Sequence, residues 1–310
     1  LALESTNPAD NASTNALTAV SATLNEPIAG VGGSNDEPSR LAVANKNGVL
    51  IAGEEDVDGA TISFTPSTPF TEAGSPYTAQ VLAGDADATG ETVVATWTFS
   101  MDTTAPAAPE LDALSPATLA NQEAFPVSGD AEAGTTVRVE IGAASGDAVA
   151  AEDGSFDLTL DVSGEDDGAL TASAVATDAA GNDSPATEAG TTKDTARPAL
   201  VSASPAQGST VQPPATVTLA FDESLAAGEV SVDGVPGTTE VDGATVTFTP
   251  TDAFPDGLHT ATAGVEDAVG NDASAEVTFT VDGTPPGDPV LADGGPVNLG
   301  NQDAYTVSGT

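Results

Sequence analysis

The chain has 310 residues and carries 48 aspartates and glutamates against five lysines and arginines, which gives a net charge of −43 at pH 7. A surface with so few basic residues repels phosphate backbones and anionic lipid, so we expect no nucleic-acid partner and no membrane insertion by this segment. With no cysteine and a single histidine, disulfide frameworks, cysteine zinc sites and most histidine-based catalysis are excluded.

The first hundred residues are predicted to form one β-sheet module. Residues Thr18–Thr23 fit a first strand, and Gly30–Arg40 has the composition of a long loop. An acidic turn of the form Asp-x-x-Gly-Asn/Glu lies at Asp87–Glu91, and a Thr/Pro-rich joint opens at Asp102. We therefore expect the first module to span residues 1–101.

A second module is expected over residues 102–193. Polar and apolar residues alternate over Thr136–Ile141, as they do in half-buried antiparallel strands. Asp153-Gly154 is a turn signal of the kind that joins two such strands. The acidic turn returns at Asp178–Asn182, and the next joint opens at Asp194.

The same organisation continues over residues 194–281, the third predicted module. Thr245–Thr249 and Ala275–Val281 both alternate polar with apolar residues. Val241–Pro250 repeats Val57–Pro66 at an offset of 184 residues, and the acidic turn appears again at Asp267–Asn271. Modules one and three are therefore expected to be of one type.

Residues 282–310 are predicted to begin a fourth module. The joint opens at Asp282, and Asn301–Gly309 repeats Asn121–Gly129 at an offset of 180 residues. The offsets of 180 and 184 residues together define one long repeat, which contains two kinds of module. Modules one and three are of type 1, while module two and the incomplete fourth module are of type 2.

Short strands separated by Gly, Pro, Asn and Asp clusters, six to eight of them in about 90 residues, are typical of an immunoglobulin-like (Ig-like) β-sandwich. The predicted fold class is all-β, with tandem Ig-like sandwiches in an extended, beads-on-a-string array. Each module is expected to have a small aliphatic core, and Trp97 is expected in a core or at a strand edge. The phenylalanines that anchor these cores would be Phe64, Phe99, Phe125, Phe156, Phe221, Phe248 and Phe279.

The sequence resembles a known group of domains. Val217–Ser224 and Val265–Asn271 in module three look like a bacterial Ig-like domain. Val127–Val137 and Thr177–Asn182 in module two are similar to a second Ig-like type, which often alternates with the first in large bacterial surface adhesins and biofilm-associated proteins. The resemblance covers 104–282 well and 57–101 more loosely, whereas residues 1–56 depart from it.

The resemblance implies a secreted or cell-surface protein with a structural role. We expect a non-catalytic, adhesive stalk that spaces a distal binding region from the cell, with neighbouring repeats of the same chain as its partners. Self-association, or binding of a surface receptor or glycan, would occur outside this segment. The alternative is a subunit of a polymeric surface layer or filament, in which a strand from another chain completes the partial fourth module.

No enzyme is predicted. His259 lies in a strand-like stretch without a nucleophile–base pattern, and we expect it to face solvent. Gly30–Gly33 does not lie between a strand and a helix, as a phosphate-binding loop would. Arg138 is expected to have a carboxylate partner on a neighbouring strand.

The acidic turns are candidate calcium sites. In an Ig-like sandwich the hairpin before the last strand lies at the end where the chain enters, so each turn should approach the joint that precedes its module. Ca²⁺ takes six to eight oxygen ligands, and such a cation would stiffen the joint. The predicted ligands are Asp178, Asn182 and Asp183 with Asp102, Asp267, Asn271 and Asp272 with Asp194, and Asp282 at the next joint.

Other interpretations of the acidic residues stay open beside calcium. Asp and Asn are favoured in turns for their backbone hydrogen bonds alone, which would explain the turns without a metal. The overall charge also suits salt adaptation, loose binding of many cations, or protection of exposed strand edges against aggregation.

Overall fold

The computed structural model describes residues 2–28, 39–83, 92–292 and 307–308. The chain divides into two compact units, residues 1–194 and residues 195–310. Regular structure in the described residues is β-strand, apart from short 3-10 turns at Glu72–Gly74 and Gln122–Ala124, so the all-β prediction is confirmed. None of the described residues forms a helix with the length and apolar character needed to cross a bilayer.

Module one is a sandwich of two four-stranded sheets, with orders β1-β3-β6-β5 and β2-β8-β7-β4. Neighbouring strands are antiparallel except for the short β2, which runs parallel to the end of β8. The strands are β1 (Leu3–Asn7), β2 (Ala12–Thr14), β3 (Val20–Leu24), β4 (Ser39–Ala44), β5 (Gly53–Asp58), β6 (Thr61–Pro66), β7 (Tyr77–Ala83) and β8 (Thr92–Met101).

Module two, in the same compact unit, has a different sandwich. A three-stranded sheet of order β13-β10-β9 faces a four-stranded sheet of order β12-β11-β14-β15. The strands are β9 (Glu110–Leu111), β10 (Phe125–Asp130), β11 (Thr136–Ile141), β12 (Ala144–Val149), β13 (Ser155–Leu160), β14 (Gly168–Thr177) and β15 (Thr187–Lys193).

Module three, in the second unit, repeats the topology of module one strand for strand. Its sheets have the orders β16-β18-β21-β20 and β17-β23-β22-β19, and β17 again runs parallel to the last strand. The strands are β16 (Leu200–Ser204), β17 (Thr210–Val211), β18 (Val217–Phe221), β19 (Leu225–Val232), β20 (Gly237–Asp242), β21 (Thr245–Pro250), β22 (Gly257–Asp267) and β23 (Asp272–Val281).

The match between modules one and three extends to single residues before the parallel strand. Asn11 (φ 63°) and Gly208 (φ 71°) both adopt the left-handed conformation there, which suits glycine and asparagine. The preceding side chains, Asp10 and Gln207, each accept a hydrogen bond of 2.9 Å from a main-chain N–H of the last strand. The described residues 2–28 and 39–56 therefore belong to the sandwich, although the sequence of residues 1–56 departs from the resemblance.

Each module has its own hydrophobic core. The buried residues form three separate clusters, one within each module, because the alternating strands turn one apolar face inward. All seven phenylalanines expected as anchors are buried, and so is Trp97. The stability of each module therefore rests on its own apolar contacts.

Two predictions for the first module need correction. Thr18–Thr23 overlaps β3, the third strand and not the first. The earlier β1 is an edge strand with mostly exposed side chains, so it shows no alternation that a sequence pattern could reveal. Within the predicted loop Gly30–Arg40, residues 30–38 lie outside the described residues, and Arg40 belongs to β4. The turn at Asp87–Glu91 also lies outside them.

The prediction that His259 faces solvent was wrong. Its ring is buried between Phe254 and Phe279, with centroid distances of 5.3 and 5.6 Å. Its Nε2 lies 2.8 Å from the main-chain oxygen of Pro255. The inward position in the strand therefore outweighs the polarity of the side chain.

Arg138 has the cross-strand partner that was expected. It lies opposite Asp147 on the neighbouring strand β12, and its guanidinium is 3.4 Å from that carboxylate. Glu140, two residues further along the same strand, is closer at 2.9 Å. Because all three side chains are about half exposed, these ion pairs contribute little to stability.

Candidate functional site

The acidic turn of module two is closed by hydrogen bonds to one carboxylate. Asp178 Oδ1 accepts from the main-chain N–H groups of Ala180 and Asn182, both at 2.8 Å. Asp178 Oδ2 accepts from the Asn182 side-chain amide at 2.8 Å. Gly181 adopts a φ of 89°, a left-handed conformation that glycine tolerates. The turn is therefore fixed by its own side chains.

The turn of module three has the same construction. Asp267 Oδ1 accepts from the N–H groups of Val269 and Asn271, both at 2.9 Å, and Oδ2 accepts from the Asn271 amide at 2.8 Å. Gly270 has a φ of 94°. Two turns in different module types thus share one hydrogen-bond pattern.

These hydrogen bonds control the ionisation of the two aspartates. Burial acts to raise the pKa of each carboxyl, but hydrogen bonds from the asparagine side chain and from backbone N–H groups outweigh it, so the pKa of Asp178 and of Asp267 lies below its usual value. N–H donors favour the charged form of the carboxylate they contact. Both turns therefore hold an ionised carboxylate at neutral pH.

The turn of module two contacts the joint that precedes it. Asn182 Nδ2 donates to the main-chain oxygen of Asp102 at 3.0 Å, so this amide bonds both its own turn and the end of module one. The main-chain N–H of Asp102 donates to Thr14 O at 3.0 Å. Asp102 Oδ1 accepts from the N–H of Thr104 at 3.1 Å. The joint is thus held on both sides of Asp102.

A second contact between modules one and two comes from a residue that sequence reasoning missed. Asn15, directly after β2, donates its main-chain N–H to Ala180 O at 3.1 Å and its side-chain amide to Gly181 O at 2.5 Å. Asn15 and Gly181 are 166 positions apart, and no local pattern relates them. The two asparagines, Asn15 and Asn182, therefore donate in opposite directions across the same interface.

The linker after Asp102 is held by another residue that was not predicted. Glu72 accepts hydrogen bonds from the hydroxyl groups of Thr103, at 3.0 Å, and Thr104, at 3.2 Å. A cleft of about 750 Å³ lies beside this linker, between the two modules. Its lining includes Glu72, Glu132 and Asp178. Acidic groups therefore lie along the linker between the two modules and hold its threonines.

The other predicted ligands are placed as follows. Asp183 Oδ1 accepts from the hydroxyl of Thr177 at 2.7 Å. Asp194, at the end of module two, donates its main-chain N–H to Ala117 O at 2.9 Å. The main-chain oxygen of Asp272 accepts from Arg197. Because Asp194 and the turn of module three belong to different compact units, their predicted meeting stays a prediction.

One further carboxylate in the second unit was not anticipated. A carboxylate oxygen of Glu223 lies within 4.8 Å of a carboxylate oxygen of the buried Asp267. Glu223 follows β18 in a loop and lies 44 positions before Asp267 in the sequence. Two carboxylates at this spacing repel each other unless nearby donors or cations compensate for the charge.

The hydrogen bonds limit what calcium could add at the first joint. A cation there would find an Asp178 carboxylate whose two oxygens already receive three donors. Asp102, Asp178 and Asp183 do not form a group of three carboxylates within 4.8 Å of one another in the part of the chain that the structure describes. Calcium binding by the predicted residues stays a prediction.

Comparison with known proteins identifies the modules. Two different family models, each described as bacterial Ig-like domain, match residues 1–101 and residues 207–283, and a third, described as bacterial Ig domain, matches residues 105–194. No curated protein sequence gives a significant match.

Solved structures with similar folds are distant in sequence. A bacterial ice-binding adhesin of 1.5 MDa, studied for its retention at the host cell surface, is 16% identical with a TM-score of 0.36, over 85% of this chain and 91% of the other. The extending region of a large adhesion protein is 19% identical with a TM-score of 0.27, over 90% and 74%. The copper resistance protein PcoC from Escherichia coli is 20% identical with a TM-score of 0.26, over 27% and 100%.

The three family matches follow one another along the chain, and each falls on one of the three sandwiches described above. The resemblance seen in the sequence is therefore confirmed, and it extends to residues 1–56, where the sequence departs from it. The chain is built from bacterial Ig-like domains arranged in tandem.

Proposed function

We propose that this chain is a non-catalytic stalk region of a bacterial surface protein, located outside the cell, which spaces a distal binding region from the cell envelope. The observation that carries this proposal is the presence of three separate hydrophobic cores, one for each module. A chain built in this way adds length with each module, and its stability is close to a sum over modules and their joints.

The joint between modules one and two supports this function. Its contacts are formed by Asn15, Asn182 and main-chain carbonyls, and the modules keep their own cores. Such a joint can set the angle between two modules without merging them. This is the property that a spacer needs.

The residues that could suggest chemistry have structural roles. His259 packs among aromatic rings, Arg138 pairs with carboxylates on a sheet surface, and Asp178 and Asp267 close turns. These assignments favour a structural protein over an enzyme.

Calcium has a limited place in this proposal. The turns keep their shape through N–H donors, so a cation at the first joint would bind beside the turn, with Asp102 and Asp183 as oxygen ligands. Its effect would add to the hydrogen bonds of Asn15 and Asn182. Calcium binding at this joint is supported by the high negative charge of the chain and by the preference of Ca²⁺ for carboxylate and carbonyl oxygens.

Single-molecule pulling of the 310-residue chain tests the stalk function. We expect three separate unfolding events. Because an extended chain spans about 3.3–3.6 Å per residue, each module should release on the order of 300 Å of contour length. One cooperative event for the whole chain would contradict the proposal. Sedimentation that shows concentration-dependent polymers would favour a layer or filament subunit instead.

A further inference from the structure

The end of module three where the chain leaves repeats the end of module one that holds module two. The main-chain N–H of Asp282 donates to Val211 O at 2.9 Å, as that of Asp102 donates to Thr14 O. Asp282 Oδ1 accepts from the N–H of Thr284 at 3.1 Å, the same distance as between Asp102 and Thr104. The hydrogen bonds that position Asp102, whose main-chain oxygen accepts from Asn182, are therefore repeated around Asp282 in module three.

An acidic residue fixes the linker in both modules. In module one it is Glu72, which accepts from two threonine hydroxyls. In module three it is Asp256, which accepts from the N–H of Gly283 and from the hydroxyl of Thr284, both at 2.6 Å. A Cβ on Gly283 would lie only 3.2 Å from that carboxylate, so the linker is closely held. At the second linker position, Asp256 accepts from the main-chain N–H of Gly283, whereas Glu72 accepts from the side-chain hydroxyl of Thr103.

The two ends differ in which residue donates a hydrogen bond to the main-chain oxygen of the linker aspartate, Asp102 or Asp282. In module one, Asp102 O accepts from Asn182 of module two, and Asn15 reaches across to module two. In module three the residue after the parallel strand is Gln212, and its Nε2 donates to Asp282 O at 2.8 Å. Gln212 therefore satisfies, from within module three, the acceptor that a neighbouring module satisfies in module one.

We propose that the exit end of module three, formed by Gln212, Asp256 and Asp282–Thr284, is a docking surface for a module of type 2. The asparagine of the type 2 turn would donate to Asp282 O, as Asn182 donates to Asp102 O. Gln212 would be released and would donate to the turn carbonyls that Asn15 contacts in the first joint.

The partner is chosen by the match between donors and acceptors. A docked module must present an amide N–H to Asp282 O and two carbonyls to Gln212, and the Asp-x-x-Gly-Asn turn of module two presents both. The sequence after module three supports this choice, since Asn301–Gly309 repeats Asn121–Gly129 of the type 2 module. This inference rests on the proposed stalk function and names the partner at its next joint.

A chimera tests the proposal. Residues 105–194 are joined directly after Thr284 of the full preceding chain, so that Asp282–Thr284 is kept and a copy of module two follows module three. The chain has no cysteine, which allows unique spin-label pairs. The first pair of labels is placed at Thr65 of module one and Thr159 of module two. The second pair is placed at Thr249, the equivalent of Thr65 in module three, and at Thr159 of the added copy. All three positions are exposed.

We expect the second pair to give a narrow distance distribution like that of the first, because the turn asparagine of the type 2 module would donate to the same linker carbonyl in both joints. Asn182→Ala in the added copy should broaden the second distribution and leave the first unchanged. A broad second distribution beside a narrow first one would overturn the docking proposal and leave the stalk function intact. An added copy that calorimetry shows to be unfolded would also overturn it. Two broad distributions would instead contradict the hydrogen-bonded joint between modules one and two, from which the docking proposal is derived.

Discussion

Tyr77 and His259 occupy the same position in modules one and three, each paired across the sheet with a phenylalanine of the last strand. The Tyr77 hydroxyl donates to Thr71 O at 3.0 Å and accepts from Thr71 N–H at 2.9 Å. His259 uses only Nε2, and its buried Nδ1 has no hydrogen-bond partner. One position therefore ties a loop to the core by two hydrogen bonds in module one and by one in module three.

Removing the hydroxyl of Tyr77 should destabilise module one. Tyr77→Phe loses both hydrogen bonds and leaves the N–H of Thr71 without its acceptor, which should cost about 1–2 kcal/mol. Trp97 is the only tryptophan and is buried in module one, so its fluorescence reports the unfolding of this module. The matched variant His259→Phe should cost less in module three and leave the Trp97 transition unchanged. A Tyr77→Phe chain with an unaltered Trp97 transition would show that these hydrogen bonds do not stabilise the module.

Separate cores predict separate losses of stability. Phe248→Ala removes a buried ring from module three and should cost about 3–5 kcal/mol, enough to unfold that module near room temperature. The Trp97 transition of module one should stay in place. The equivalent variant Phe64→Ala should move it, because Phe64 lies in the same core as Trp97. A Trp97 transition that is lost or shifted by Phe248→Ala would contradict independent cores.

The turn aspartate of module three should be sensitive to neutralisation. Asp267→Asn replaces one carboxylate oxygen by an NH₂ group. This new donor would face N–H donors of the turn, such as the side-chain amide of Asn271, and could not accept from them. The lost charged hydrogen bonds should cost about 1.5–3 kcal/mol at pH 7, measured by urea unfolding. Asp252→Asn, which removes the same charge from an exposed loop position, should have little effect and serves as the control.

The same pair of variants gives a pH dependence with a definite sign. Because hydrogen bonds hold the pKa of Asp267 below its usual value despite burial, its stabilisation is complete above the unfolded pKa of about 3.9. It is lost as the pH falls through the lower folded pKa. The stability difference between the native chain and Asp267→Asn should therefore stay constant above about pH 5 and shrink below about pH 4. A difference that grows on acidification would contradict the assignment.

The net charge predicts a strong effect of salt. At about 0.01 M salt the screening length is about 30 Å, and at about 0.1 M it falls to about 10 Å, so repulsion among 48 acidic residues weakens across this range. We expect the Tm of every module to rise with NaCl. At matched ionic strength, an additional rise with Ca²⁺ that Asp102→Ala abolishes would support a specific site at the first joint. Equal effects of Ca²⁺ and NaCl would show screening alone.

The elements that sequence patterns predicted are those with a local cause. Alternation over Thr136–Ile141 and over Thr245–Thr249 identified strands, because side chains of a strand alternate between two faces. The edge strand β1 lacks a buried face and was missed. His259 was placed on the wrong side of its sheet, because a polar residue at an inward position breaks the pattern on which the prediction depends.

The joint could be predicted only in part. Asp178–Asn182 is a local turn with a recognisable composition, and the position of that hairpin in an Ig-like sandwich indicated that it lies near Asp102. Asn15 and Glu72 contact the same joint from other loops. They are separated from it by long stretches of sequence, so nothing in the local pattern distinguishes them from other surface residues.

The side-chain amides of Asn15 and Asn182 fix the joint between modules one and two. Spin labels at Thr65→Cys and Thr159→Cys measure this directly, in EDTA and in the native 310-residue chain. We predict a narrow distance distribution that broadens when Asn15→Ala and Asn182→Ala are combined, and that stays narrow with Asn47→Ala, an exposed loop asparagine. A broad distribution in the native chain, or one that the double variant leaves unchanged, would contradict the claim.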